Sequence, residues 1–228
     1  MLKKEHIAIV IPVYNEAEVI GEVLAETGII HNYTTIVVDD GSGDDSFVQA
    51  SVHANLAIRH RINRGKGAAV KTGIMVANLL ESDIVVTMDG DGQHDPSDIE
   101  PLISPILKNE ADVVLGSRTL NRSEMPVIKK TANFMGNFFT WLFYGIWVSD
   151  SQSGFRAYSK YAALIIDTKA DKYEYDSKVI REIKTNRLRF AEVPVHTRYT
   201  DYSKTKKQKQ GFINGVVTLF RMVWSILT

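Results

Sequence analysis

Short, uninterrupted runs of apolar residues recur along the first half of this chain, and each run is followed by a polar turn. Such runs are typical of parallel strands buried on both faces of a sheet. They occupy residues 6–13, 34–38, 56–58, 83–88 and 111–116, and between them the segments 16–30, 45–54, 65–80 and 96–108 have helical spacing. Asn15 is the candidate N-cap of the first helix. This alternation predicts an α/β fold with a Rossmann-like, mostly parallel sheet flanked by helices.

The polar turns fall where the predicted strands end. In open α/β sheets, ligands bind at the carboxyl ends of the strands. The turns contain Tyr14-Asn15-Glu16, Asp39-Asp40, the segment 89–94 and Ser117-Arg118. Their shared position predicts a single site at one edge of the sheet.

The strand at residues 83–88 ends on Asp-Gly-Asp-Gly-Gln-His, residues 89–94. Asp89 and Asp91 are two positions apart, so an extended backbone would point both carboxylates to the same side. Such neighbours repel each other unless a cation joins them, and hard oxygen ligands suit Mg²⁺ or Mn²⁺. Gln93 and His94 would extend the site. Taken alone, the motif is equally consistent with a surface turn rich in Asp and Gly.

Two further motifs are weaker on their own. Asp39 and Asp40 follow the second strand, where a carboxylate can bind a nucleobase or ribose, or simply close an Asx-type turn. Residues 63–67, Asn-Arg-Gly-Lys-Gly, combine cations and glycines at a helix start, and such places attract phosphate. They do not form a Walker motif, because a glycine follows the lysine where Ser or Thr is required.

The second half of the chain carries cations of interest at Arg118, Lys129, Lys130 and Arg156. Arginine can hold phosphate through two hydrogen bonds and lysine acts as a point charge, although a solvated surface charge is the usual case for any one of these residues. Lys129 and Lys130 directly precede an uncharged, aromatic-rich stretch. A cation in that position can meet an anionic lipid head group.

That aromatic stretch covers residues 131–149, and a second stretch with little charge covers residues 211–228. The first approaches the roughly 20 residues needed to span a bilayer. Asn133 and Asn137 interrupt it, however, and its aromatic residues suit a membrane interface better than a hydrocarbon core. Both stretches are predicted to be C-terminal amphipathic helices that lie on a membrane or against the core.

Composition excludes several classes of protein. The chain has no cysteine, so it has neither disulfides nor thiolate metal sites, which agrees with a cytoplasmic location. Its 27 Lys and Arg residues balance 27 Asp and Glu residues, so net charge does not favour a nucleic-acid partner. The N-terminus lacks the long apolar region of a secretory signal. We therefore expect a cytoplasmic protein.

In this order, the motifs resemble those of the family 2 inverting glycosyltransferases of GT-A fold, and within them the dolichyl-phosphate mannose and glucose synthase-like branch. The likeness covers roughly residues 6–200. The matching segments are residues 11–16 (Ile-Pro-Val-Tyr-Asn-Glu), 38–42 (Val-Asp-Asp-Gly-Ser), 63–67, 88–94, 116–118 (Gly-Ser-Arg) and 150–156 (Asp-Ser-Gln-Ser-Gly-Phe-Arg).

The resemblance also implies roles for individual residues. Those implied to bind the nucleotide sugar are Pro12, Tyr14, Glu16, Asp39, Lys66, Asp89, Gln93 and Lys204. Those implied to hold Mg²⁺ or Mn²⁺ are Asp89, Asp91 and Gln93. Those implied to receive an acceptor phosphate are Arg118, Lys130 and Arg156, and those implied in catalysis are Asp91, Arg118 and Asp150. Arg198 or a lysine after Lys204 is an alternative for the cation that grips the diphosphate.

The activity implied is transfer of a hexose from a nucleoside-diphosphate sugar, of the GDP-mannose or UDP-glucose type. The acceptor would be a polyprenyl or dolichyl phosphate at the cytoplasmic membrane face, with peripheral membrane contact. A phosphate acceptor is already an anion and needs no general base. A glycan hydroxyl, as in polysaccharide or O-antigen assembly, would need one, and Asp150 is the candidate. A non-catalytic nucleotide-binding protein on the same fold is a further alternative.

We expect one domain over residues 1–228. Its nucleotide-sugar half would cover about residues 1–118, and its acceptor- and membrane-facing half about residues 119–228.

Overall fold

The computed structural model describes residues 5–29, 33–120, 127–172 and 174–198. The strands within these ranges are β1 (Ile7–Val13), β2 (Thr34–Asp39), β3 (Leu56–Arg59), β4 (Ile84–Thr87), β5 (Val113–Ser117), β6 (Arg156–Ser159) and β7 (Phe190–Pro194). The α-helices are α1 (Ile20–Ile29), α2 (Ser46–His53), α3 (Lys66–Leu79), α4 (Ile99–Leu107), α5 (Val127–Tyr144), α6 (Lys160–Ile165) and α7 (Tyr175–Thr185). A short 3₁₀ turn at Pro96–Asp98 leads into α4.

The strands form one seven-stranded sheet in the order β3-β2-β1-β4-β6-β5-β7. All neighbouring strands are parallel except β6, which runs antiparallel to both β4 and β5. The prediction of a mostly parallel sheet between helices is therefore confirmed. The insertion of β6 was not predicted, and it places the loop before β6 next to the end of β4.

The central strand β1 shows why the apolar runs are continuous. Ile9 and Ile11 pack into a core layer that includes residues of α1 and α4, whereas Ala8 and Val10 pack into the opposite layer with α3 and α7. Both faces of the strand are thus buried, and alternation with polar residues is absent. Helix α3 lies very close to β1, since a Cβ atom added to Gly73 would lie 2.2 Å from Cγ1 of Val10.

The beginning of α1 differs from the sequence prediction. Asn15 has a positive φ of 53°, and α1 begins only at Ile20. The side-chain oxygen of Asn15 accepts a hydrogen bond from the backbone N–H of Gly43, at 2.9 Å. Asn15 therefore ties the turn after β1 to the loop after β2, and the prediction that it caps the helix was wrong.

The uncharged stretch predicted at residues 131–149 forms most of α5. This helix begins earlier, at Val127, and ends at Tyr144 because Gly145 adopts a φ of +68°. In the described part of the chain, we find no helix that is both long and apolar enough to cross a bilayer. The second predicted interfacial helix, at residues 211–228, lies outside the described residues.

Candidate active site

Asp39 closes β2 at the edge of the sheet where the polar turns meet. The side chain is fully buried, and its Oδ1 accepts hydrogen bonds from the backbone N–H groups of Gly41 and Ser42, each at 2.9 Å. These two bonds form the Asx-type turn, which was one of the two alternatives that the sequence allowed for Asp39. The second oxygen, Oδ2, is also buried, and it has no hydrogen-bond partner among the described residues. A buried acceptor left unpaired costs about 1–3 kcal/mol, so Oδ2 is available to an incoming N–H or hydroxyl group.

The other residues predicted to cradle a nucleoside lie beside Asp39. β1 and β2 pair in register, so Pro12 lies opposite Val38 and Val13 opposite Asp39. Tyr14 is half-buried directly after β1, and Glu16 is buried, with its N–H donating to the Ser46 hydroxyl at 2.7 Å. Strand pairing thus brings these predicted residues to one place, as the motif order indicated.

Asp40 organises the loop that precedes α3. Its carboxylate accepts hydrogen bonds from the backbone N–H groups of Arg64, at 3.0 Å, and Gly65, at 2.6 Å, and contacts Nδ1 of His60 at 2.8 Å. The N–H of Ala68, in the first turn of α3, donates to the carbonyl of Asp171 at 3.0 Å. These N–H groups are therefore already engaged. The backbone of the segment before α7 covers the helix start, and the prediction that this place attracts phosphate stays a prediction.

The side chain of Lys66 instead reaches toward the acidic motif. Its Nζ lies 2.8 Å from Oδ1 of Asp89 and 3.5 Å from Oδ2 of Asp176, a buried residue of α7. Burial disfavours the charged form of Lys66, but Asp176 and Asp89 outweigh that effect and raise the pKa of the ammonium. Burial likewise opposes ionisation of Asp89, yet Lys66 and His94 hold the pKa of that carboxyl well below its usual range. Both groups are charged near neutral pH.

Asp89 and Asp91 have the chemistry of a partial metal site. Oδ1 and Oδ2 of Asp91 accept hydrogen bonds from the backbone N and the side-chain Nε2 of Gln93, at 3.0 and 2.8 Å. Oδ2 of Asp89 lies 3.5 Å from Nε2 of His94, and the Lys66 ammonium on Oδ1 shows that a cation fits there. Within the described ranges, no group of three acidic or histidine side chains could hold a metal alone. Two carboxylates completed by phosphates fit Mg²⁺ or Mn²⁺.

Arg118 and Asp150 form a two-pronged ion pair next to this site. Nε and Nη2 of Arg118 donate to Oδ2 and Oδ1 of Asp150, at 2.7 and 2.9 Å. Burial disfavours the charge of Arg118, but hydrogen bonding to Asp150 and the charges of Asp150, Asp89 and Asp176 together outweigh it and raise the pKa of the guanidinium. The Asp150 side chain is fully buried, whereas that of Arg118 remains 26% exposed. The exposed part of Arg118 can receive an anion, while Asp150 has both oxygens engaged and is poorly placed to act as a base.

The family is settled by comparison with known sequences. The family model for glycosyl transferase family 2 matches residues 8–164. The chain belongs to this family. It is 40% identical to an uncharacterized protein of Methanocaldococcus jannaschii, over 97% of this chain and 93% of that one. It is 39% identical to the UDP-N-acetylglucosamine–dolichyl-phosphate N-acetylglucosaminyltransferase of Methanococcus voltae, over 88% of each chain.

Solved structures agree on the architecture of this glycosyltransferase. Glucosyl-3-phosphoglycerate synthase from Mycobacterium tuberculosis, in complex with Mn²⁺, UDP-glucose and phosphoglyceric acid, superimposes with a TM-score of 0.72. The match covers 98% of this chain and 79% of that one at 20% identity. The fold of the transferase is therefore the GT-A fold that the resemblance implied.

Asp176 is a neighbour of the Lys66–Asp89 pair that the sequence did not reveal. It lies in the first turn of α7, and its Oδ1 is 3.7 Å from Nη2 of Arg156. Arg156 itself is only 1% exposed, and it donates to the carbonyls of Ser151 and Ser153. Such a buried arginine offers almost no surface to a ligand. Its contacts are those of a residue that supports the loop before β6, and its role toward an acceptor phosphate stays a prediction.

Helix α5 turns its polar side chains inward. Asn137 is buried, donates to the carbonyl of Ser149 at 2.6 Å and accepts from the N–H of Ser151 at 2.8 Å. The helix thereby fixes the loop that carries Asp150. Its opposite side and the following turn expose large apolar groups, here called the aromatic face: Phe134, Met135, Phe138, Trp141, Leu142 and Trp147.

The remaining predicted cations of the glycosyltransferase are distributed differently. Arg198 forms ion pairs with Glu26 and with Asp95, whose Oδ1 is 3.0 Å from Nη2, so its guanidinium is already engaged. Lys130 falls within α5, but its side chain lies outside the described part, as does all of Lys204. Their roles toward phosphate groups stay predictions.

Proposed function

We propose that this glycosyltransferase moves a sugar from a nucleoside-diphosphate sugar to a polyprenyl phosphate, with inversion at the sugar C1. The observation that carries the proposal is the Arg118–Asp150 pair. It presents a partly exposed guanidinium within electrostatic reach of Asp89 and leaves Asp150 without a free oxygen to act as a base. A phosphate acceptor needs no base, because its oxygen is already anionic. The glycan-hydroxyl alternative lacks this support.

The names of relatives support the same acceptor class. Besides the dolichyl-phosphate transferase of Methanococcus voltae, an undecaprenyl-phosphate mannosyltransferase of Micrococcus luteus is 29% identical over 82% of this chain. The first takes its sugar from UDP-N-acetylglucosamine, so a UDP-sugar is the first donor to test, ahead of the GDP-mannose type. Both relatives transfer to a lipid phosphate, which agrees with the role proposed for Arg118.

In the proposed mechanism, the open Oδ2 of Asp39 binds the nucleoside. Asp89 and Asp91, with Gln93 beside them, hold a divalent ion, Mg²⁺ or Mn²⁺, which when bound neutralises the charge of the departing diphosphate. Arg118 holds the acceptor phosphate so that its oxygen faces the sugar C1. Since Asp150 fixes both nitrogens of Arg118 that it contacts, the guanidinium is oriented before the acceptor arrives.

The aromatic face of α5 supports peripheral contact with the membrane, which we place at its cytoplasmic face. Trp141 and Trp147 are 44% and 51% exposed, and their rings lie 6.5 Å apart. Tryptophan is the residue type that favours the level of the lipid head groups. A helix with buried polar groups and exposed aromatics agrees with an enzyme that draws its acceptor from a bilayer surface.

The decisive experiment is an acceptor and donor screen. Radiolabelled UDP-N-acetylglucosamine, UDP-glucose and GDP-mannose are each incubated with the full chain, a divalent ion and dolichyl or undecaprenyl phosphate. We expect label in the organic phase with one donor, and its loss both in EDTA and in Asp91→Asn. Label that enters only a water-soluble glycan would contradict the lipid acceptor, and full activity in EDTA would contradict the metal.

A further inference from the structure

The ammonium of Lys66 forms an ion pair with a carboxylate oxygen that the proposed metal site requires. Its Nζ lies 2.8 Å from Oδ1 of Asp89, one of the two carboxylates assigned to the divalent ion. The pair rests directly on Gly154. A Cβ atom added to Gly154 would lie 2.5 Å from Nζ of Lys66 and 2.8 Å from Oδ1 of Asp89. The loop before β6 therefore leaves room for this ammonium by having no side chain at that position.

A second carboxylate is within reach of the same ammonium. Oδ2 of Asp176 lies 3.5 Å from Nζ of Lys66, and the Asp176 side chain is only 9% exposed. Arg156, on the other side of Asp176, is 3.7 Å away, which is longer than a direct hydrogen bond. Asp176 can thus accept a closer bond from Lys66 after a small movement of the lysine side chain.

A lysine ammonium and a divalent ion compete at a shared carboxylate. Asp89 cannot give the same oxygen to both cations at full strength, and two cations a few ångströms apart repel each other strongly in a partly buried site. We propose that Lys66 competes with the divalent ion for Asp89, and that Asp176 receives the ammonium when the ion binds. Asp176 is then a positioning residue, and Lys66 is kept beside the diphosphate. The inference rests on the metal site of the proposed function.

The proposal is tested by Mn²⁺ binding to the full chain without nucleotide, measured by electron paramagnetic resonance of the free ion. The titration extends into the millimolar range, because two carboxylates without phosphates bind the ion weakly. Lys66→Met removes the competing charge with little change in side-chain length, and we expect Mn²⁺ to bind about tenfold more tightly. Lys71→Met is the matched control, because Lys71 lies on the same helix but pairs with Asp171. It should bind Mn²⁺ as the wild type does.

The role of Asp176 is tested by a double-mutant cycle. In Asp176→Asn the ammonium has no second carboxylate and stays on Asp89, so we expect Mn²⁺ to bind several-fold more weakly. In the Lys66→Met background, Asp176→Asn should change the logarithm of the Mn²⁺ dissociation constant by less than about half as much. No ammonium then remains for Asp176 to accept. Circular dichroism checks that each variant is folded. The Lys66→Met result stands even if Asp176→Asn does not fold.

Distinct results separate this proposal from the metal site itself. Asp91→Asn should lose Mn²⁺ binding, and wild-type affinity in that variant would overturn the metal assignment. If Asp91→Asn loses the ion but Lys66→Met binds it no more tightly than the wild type, the competition is wrong and the metal site stands. An equal gain of Mn²⁺ affinity in Lys71→Met would show that the effect comes from the net charge of the protein and not from the contact with Asp89. An undiminished effect of Asp176→Asn in the Lys66→Met background would exclude transfer to Asp176.

Discussion

Nε and Nη2 of Arg118 bind the two carboxylate oxygens of Asp150, at 2.7 and 2.9 Å, in a side-by-side geometry. The backbone N–H of Arg118 adds a third bond to the same group, at 3.2 Å. Asp150 therefore fixes both the side chain and the main chain of Arg118 at the end of β5. A carboxylate used in this way orients a neighbouring cation and does not remove protons.

This relationship predicts the effect of Asp150→Asn. The variant keeps the size of the side chain but weakens its hold on Arg118, so we expect kcat/KM with a polyprenyl phosphate to fall by about tenfold, mainly through a higher KM for the lipid. Loss of a general base would instead lower kcat by roughly 10²–10⁴-fold. Steady-state kinetics with the lipid varied distinguish the two. A fall of roughly 10²–10⁴-fold in kcat, with the KM for the lipid unchanged, would show that Asp150 is a base.

The contact of Gly154 with the Lys66–Asp89 pair predicts a large effect from one methyl group. Gly154→Ala would place a Cβ atom within 2.5 Å of Nζ of Lys66, so the pair must separate or the loop must move. We expect at least a tenfold loss of transfer, because groups in an active site must be held to within about half an ångström. Gly43→Ala is the control, since among the described residues no atom beyond its chain neighbours lies within 4 Å of the added Cβ. Equal activities of the two variants would contradict the prediction.

Polar substitutions in the aromatic face of α5 should weaken membrane binding without affecting folding. Phe138 and Trp141 are 39% and 44% exposed, so replacing both with serine leaves the core intact. Each should lose up to about 1.5–3 kcal/mol of burial in lipid, and vesicle binding should fall at least tenfold. Cosedimentation with phosphatidylcholine–phosphatidylglycerol vesicles measures this. Leu79→Ser on α3, where Leu79 is 76% exposed, is the control and should bind like the wild type.

The sequence predicted the first half of the fold and the placement of Asp39 and Asp89, because buried parallel strands and the turns that follow them are local signals. It did not predict the partners of these residues. Asp176 reaches Lys66 only because α7 packs beside α3, and no local pattern records that contact. Arg156 was predicted to receive an acceptor phosphate, but β6 inserts between β4 and β5 and buries it. Such long-range pairings depend on the assembled sheet.

His196 predicts a pH dependence of stability. After β7, its backbone N–H donates to Oδ2 of Asp98 at 2.6 Å, and its Nδ1 lies 2.8 Å from Oδ1. Hydrogen bonding to Asp98, with a smaller contribution from the charge of Asp95, raises the pKa of His196 in the folded protein above its usual value. The resulting stabilisation is fully present below the unfolded-state pKa of about 6.5 and is lost as the pH rises through the folded-state pKa.

Comparison with His196→Gln isolates this contribution, because the variant keeps the backbone hydrogen bond but cannot carry a charge. Urea unfolding at pH 5.5 and pH 8.5 gives the free energy of unfolding of both proteins. We expect the wild type to exceed the variant by more at pH 5.5 than at pH 8.5, since only the protonated imidazole forms a charged pair with Asp98. The side chain is 65% exposed, so added salt should shrink the difference at pH 5.5. A difference that is constant with pH would show that Asp98 binds the neutral ring.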